Sequence, residues 1–152
     1  MQDRHVTERL AQFAAHEGID RGFLADAPIR PLTLEGAAGI AVMVRLTSYR
    51  ALPLSCIAGI DLAIDGQPVD LSRARLEIGG VFHPLANLGA LSHVWWFVLD
   101  IATLFVPLPA PPVQGAHQLE GTLRTVEPYI TAGRFTFYNT SIKQISLEEA
   151  LA

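Results

Sequence analysis

Between residues 36 and 47 the chain alternates. Ile40, Val42, Val44 and Leu46 take one parity, and Ala41, Met43, Arg45 and Thr47 take the other. Successive side chains of a strand point to opposite faces, so this pattern predicts a strand with one face in a core. The period of two returns in residues 59–65, with Ile60, Leu62 and Ile64 inward and Asp61, Ala63 and Asp65 outward. It recurs at Ala74, Leu76 and Ile78, and leads through residues 81–85. Downstream, Leu119, Gly121, Leu123 and Thr125 alternate with Glu120, Thr122 and Arg124, and residues 134–140 read as a final strand. Asp65 with Gly66, and Gly79 with Gly80, supply the small residues that tight hairpin turns require. Residues 86–92 read as a loop, and 94–99 and 103–106 as two more strands.

Helical spacing occurs in residues 6–16, where Leu10, Phe13 and Ala14 share a face, Asp3 or Thr7 can cap, and Gly18 can stop the helix. Residues 20–35 contain Pro28 and Pro31 and read as an extended lead-in; residues 147–152 read as a polar tail or helical turn. Short strands at this spacing with one helix predict an all-β fold, a β-sandwich or jelly-roll-like single domain. Its expected bounds are 36–145, after an N-terminal helix and lead-in over 1–35 and before a tail over 146–152.

Two adjacent tryptophans, Trp95 and Trp96, break the one-sided pattern. In an extended segment they face opposite ways, Trp95 with Phe97 and Leu99, Trp96 with Val98. One face is expected to fill the core and the other to lie under a partner chain or the N-terminal helix. An alternative use, stacking on a sugar, calls for polar neighbours that the sequence HVWWFVL lacks.

Composition sharpens this. Charged residues make up 17% of the chain, against about 25% in ordinary soluble domains, and mean hydropathy is +0.31. Over residues 78–119 Asp100 is the single formal charge. That tract is not a membrane span, because Gly79, Gly80, Pro84, Gly89 and the prolines 107, 109, 111 and 112 break it. A net charge of −4 with scattered basic residues argues against nucleic acid. The opening MQDRHVTERL lacks the apolar core of a secretory signal, and a cytoplasmic protein is expected.

Candidate chemistry is sparse. Cys56 is the lone cysteine, which excludes an internal disulfide; beside Leu54 and Ile57 it reads as an inert buried thiol. His5, His16, His83, His93 and His117 show no paired metal-ligand spacing. Asp61, Asp65 and Asp70 read as turn and face residues rather than paired catalytic carboxylates. Asp100 either caps a turn or meets a cation across an interface. Tyr49 and Arg50, on a loop stiffened by Pro53 and following what reads as an edge-forming strand, are residue types enriched at interface hot spots.

Two blocks carry a family resemblance: SYRALPLSCIAGIDLAIDGQPVD at residues 48–70 and VWWFVLDIATLFVP at 94–107. In order and spacing they resemble the small (beta) subunits of C-glycoside deglycosidases, with similarity over residues 40–129. The resemblance implies a partner, a larger TIM-barrel-like alpha subunit holding a divalent metal of manganese or magnesium type. It implies that the complex cleaves the sugar–aglycone C–C bond of 3-oxo-C-glycosides by elimination, a carbon–carbon lyase reaction. No catalytic residue, metal ligand or cofactor is expected in this chain, which would be inactive alone. Tyr49, Arg50, Pro53, Leu54, Trp95 and Trp96 are the expected partner-interface residues. A stand-alone carbohydrate-binding module or a cupin-like metalloenzyme are the alternatives.

Overall fold

The computed structural model describes residues 22–110, 112–127 and 136–148. The expected N-terminal helix, with His5 and His16, lies outside these residues, as does the end of the C-terminal tail. Eleven strands are present among the described residues: β1 (Arg30–Leu34), β2 (Ala37–Arg45), β3 (Leu52–Pro53), β4 (Ile57–Ile64), β5 (Gln67–Pro68), β6 (Arg75–Ile78), β7 (Val81–Pro84), β8 (Trp95–Trp96), β9 (Ile101–Pro107), β10 (Gly115–Val126) and β11 (Thr136–Leu147).

They form two main antiparallel sheets, one ordered β1-β2-β9-β6-β7 and one ordered β11-β10-β4-β5, with a short β3-β8 ribbon beside them. The alternation read from sequence sets the faces. Ile40, Val42, Val44 and Leu46 from β2 and its extension join Leu76, Ala102, Leu104 and Val106 on one side of the core. Ile60, Leu62, Leu119, Leu123, Ile145 and Leu147 meet them from the other sheet. The fold is therefore all-β, a sandwich around one apolar core.

Three hairpins share one turn chemistry. At Glu35 and Gly36, Asp65 and Gly66, and Gly79 and Gly80, both turn residues have positive φ, between 49° and 86°. This is the two-residue turn whose twist matches that of the strands it joins. The first was not foreseen, because Pro28 and Pro31 made the lead-in look irregular. Pro31 is tolerated because β1 is an edge strand. By the same pairing β2 lies between β1 and β9 and is not the edge-forming strand expected from sequence.

The lead-in is part of the sandwich rather than a separate segment. Arg45 N–H donates to Phe23 O at 2.8 Å, Ala25 N–H to Met43 O at 3.0 Å, and Ile29 N–H to Ser146 O at 2.8 Å, stitching the lead-in to β2 and to β11 of the opposite sheet. Phe23 and Leu24, both fully buried, lie over Gly121, where an added Cβ would come to 2.9 Å from Leu24 and 3.0 Å from Phe23. The strand expected over residues 94–99 is only Trp95–Trp96, because its partner β3 offers two residues. The loop expected over 86–92 is mostly a 3₁₀ helix, Leu85–Ala90.

Candidate docking surface and the buried acid beneath it

Three stretches converge at one end of the sandwich: the connection from β2 to β3, the β3-β8 ribbon, and the end of β10. Leu52 pairs with Trp96 and Pro53 with Trp95. Leu54 N–H extends the ribbon to Val94 O at 2.8 Å, and Ser55 N–H donates to Leu91 O at 3.1 Å. This alignment decides which tryptophan goes inward. Trp96 is fully buried, whereas Trp95 is 47% exposed. At ~25 cal/mol per Å², burying an indole of roughly 150–250 Å² is worth about 4–6 kcal/mol gross.

After Trp96 the chain turns, with Asp100 N–H donating to Phe97 O at 3.0 Å. Trp96 Nε1–H donates to Asp100 O, also at 3.0 Å, tying the turn to the core. Asp100 is exposed and holds this turn through its main-chain N–H and C=O. The turn leaves an apolar lip in solvent: Trp95 with Phe97 at 56%, Leu99 at 87% and Ile101 at 56% exposure. Tyr49, 56% exposed, and Arg50 stand on the neighbouring corner. Large apolar side chains left exposed close together along the chain are the kind of surface that marks interaction sites.

Of the six interface residues expected from sequence, Tyr49, Arg50 and Trp95 are exposed and Pro53 is partly so. Leu54 and Trp96 are both 0% exposed within this chain, so their side chains belong to its own core, and of the two tryptophans it is Trp95 that faces outward. The physical reason is register. Leu52, Leu54 and Trp96 all reach the same core cluster, leaving Pro53 and Trp95 on the outer side.

Beneath the corner lies a group that sequence reasoning missed. Glu127, 2% exposed, accepts a hydrogen bond from Ser48 Oγ–H, and Ser48 Oγ accepts the Arg50 N–H at 3.4 Å. Burial raises the Glu127 carboxyl above the ordinary range, partly opposed by the Ser48 hydroxyl. The Cys56 thiol is also pushed up, first by its own desolvation, with the nearby Glu127 charge adding to the effect. Cys56 is thus an unactivated thiol. The missed signal was parity. Leu119, Gly121, Leu123, Thr125 and Glu127 are all buried, so the inward phase of β10 continues one step into a carboxyl.

At the opposite end of β10, His117 has a partner not visible in the sequence. Its Nδ1 lies 2.6 Å from Asp65 Oδ2, and its Nε2 contacts Val113 O. The Asp65 carboxylate raises the imidazole, helped by the Val113 carbonyl, and Asp65 is itself lowered by His117 and the Gln118 N–H. Asp70 accepts from Ser72 N–H at 2.9 Å, which is turn chemistry as read. Among the described residues, no three His, Cys, Asp or Glu side chains are grouped so that they could hold a metal ion. No helix there is long and apolar enough to cross a membrane.

The profile of the C-glycoside deglycosidase beta subunit family matches residues 21–129. The chain is 35% identical over 120 residues to the 3'-dehydrocarminate deglycosidase beta subunit of a Microbacterium species, covering 76% of this chain and 88% of that protein. It is 37% identical over 99 residues to a C-glycoside deglycosidase beta subunit of Arthrobacter globiformis, covering 65% and 74%. It is 39% identical over 90 residues to one of Microbacterium trichothecenolyticum, covering 59% and 68%. The chain belongs to the C-glycoside deglycosidase beta subunit family.

Proposed function

We propose that this chain is the small subunit of a cytoplasmic hetero-oligomer that cleaves the sugar–aglycone C–C bond of 3-oxo-C-glycosides, docking through its apolar lip onto a larger TIM-barrel alpha subunit. Supporting this is its similarity over 88% of the length of a subunit named for a 3'-dehydro substrate, together with an exposed lip that a chain acting alone has no use for.

The chemistry explains why such a complex is needed. A carbon leaving group closes the two-carboxylate route open to O-glycosides. A ketone at C3 of the sugar acidifies the C2 proton. A base removes that proton, the C1–aglycone bond breaks, and the aglycone carbon takes up a proton, leaving an unsaturated 3-oxo sugar with no net oxidation. A divalent metal supplies polarisation of the C3 carbonyl when bound. The described residues of this chain offer no donor set for it, and in this reading the metal and base belong to the partner. The small subunit's part is to cover and brace that partner.

Co-expression with an adjacent gene encoding a barrel enzyme, followed by assay of aglycone release from a 3-oxo-C-glycoside, tests the reading. Activity is expected from the co-purified pair and not from this chain alone. Turnover with stoichiometric transition metal in the isolated chain would replace it with the metalloenzyme alternative, and sugar binding by a monomer with the binding-module alternative.

A further inference from the structure

We propose that Glu127 is a positioning residue for the docking corner: its buried carboxyl holds Ser48, and through Ser48 the main chain at Arg50, so that Tyr49 and Arg50 are presented in one fixed arrangement. The consequence for assembly rests on the docking reading above; the ordering of the corner is a property of the isolated chain.

The geometry carries this. Ser48 continues the inward phase of β2, following Ile40, Val42, Val44 and Leu46, and is 7% exposed. Glu127 continues the inward phase of β10, 79 residues away in sequence. The two sheets therefore end their shared core not on two apolar side chains but on a hydroxyl facing a carboxyl. An apolar residue at position 127 would fill the volume without the cost of desolvating an acid. A carboxyl adds direction instead: an acceptor oxygen, Oε1, toward which the hydroxyl turns. With its hydrogen committed to Glu127 Oε1, Ser48 Oγ keeps its lone pairs for the Arg50 N–H two residues on. A carboxyl oxygen accepts the Ser48 O–H in either protonation state, so the hold does not depend on charge.

Burial makes this position unlike the other acids described. Asp61, Asp65, Asp70 and Asp100 are exposed. Among the described residues, Cys56 on the turn before β4 is a titratable neighbour of Glu127, which acts on its thiol.

The test compares full-length wild type with Glu127→Gln, which keeps shape and an acceptor oxygen, and Glu127→Leu, which keeps volume and loses the acceptor. Amide hydrogen exchange on the isolated chain reads the corner, and affinity for the large subunit reads the consequence. Glu127→Leu is expected to lose protection at the Arg50 amide about tenfold, with the amides of Val42 and Leu104 unchanged. Glu127→Gln is expected to retain protection, and affinity should follow the same order. Ser48→Ala, a smaller change, should reproduce the loss at Arg50 even if Glu127→Leu folds poorly. Equal protection in all chains overturns the proposal, as does equal loss in the Gln and Leu variants or a loss spread through the core. If the wild type does not bind the large subunit at all, the docking reading fails, and the exchange pattern alone decides the positioning role.

Discussion

The indole N–H of Trp96 donates to the main-chain oxygen of Asp100 at 3.0 Å, joining the most deeply buried aromatic of the segment to the turn that exposes its neighbours. One ring thus anchors the core and shapes the lip. Trp96→Ala is expected to destabilise the isolated chain by about 3–5 kcal/mol in chemical denaturation. Trp96→Phe keeps an aromatic ring in the core but loses the hydrogen bond, worth about 1 kcal/mol net. Trp95→Ala, removing a half-exposed ring, should cost less than Trp96→Ala. Equal destabilisation by the two alanine variants would contradict the inward–outward assignment.

The His117–Asp65 pair clips the start of β10 to the turn of the β4–β5 hairpin and makes stability depend on pH at both ends. The folded pKa of His117 is raised. Its contribution is therefore fully present below the unfolded value of about 6.5 and is lost as pH rises through the higher folded value. The folded pKa of Asp65 is lowered. Its contribution is present above the unfolded value of about 3.9 and is lost as pH falls through the lower folded value. His117 ring resonances should titrate above the free-histidine midpoint, and Asp65→Asn should bring them back toward it.

Glu127 has the opposite linkage to Asp65. Its folded pKa is raised, so the native state binds the extra proton and stability falls as pH climbs from the unfolded value of about 4.3 through the folded one. Glu127→Gln removes that slope. Denaturation midpoints of wild type and Glu127→Gln should diverge with rising pH, the variant gaining; parallel pH profiles would mean that the carboxyl is not desolvated in solution.

Much of the sandwich was legible because its information is local. Period-two runs such as Ile40 to Leu46 fix both the strand and its inward face. Asp65 with Gly66, and Gly79 with Gly80, carry their turns in their own conformational preferences. The strand Arg30–Leu34 was hidden because its Pro31 is acceptable only at an edge, and edge position is decided by which strand pairs with which. The same non-local pairing governs the candidate surface. Sequence showed that Trp95 and Trp96 part company, but both sides of the segment are apolar, so only the register with Leu52 and Pro53 could send Trp96 inward. The same register puts the Leu54 side chain in the core. The Ser48–Glu127 and Asp65–His117 contacts join residues 79 and 52 positions apart, beyond the reach of any spacing rule.

The central claim is that the lip of Trp95, Phe97, Leu99 and Ile101, with the Tyr49 and Arg50 corner, is where the large subunit docks. The most direct measurement is the affinity of the large subunit for wild type, Trp95→Ala, Leu99→Glu and Arg50→Ala, beside Ile142→Glu as a control. Ile142 is an equally exposed apolar side chain, 59% accessible, on β11 away from the lip. The account predicts losses of roughly 2 kcal/mol or more for each lip and corner variant, with unchanged folding of the isolated chains, and wild-type binding by the control. Full affinity in the lip and corner variants, with loss confined to Ile142→Glu, would place the interface on the other sheet and contradict it.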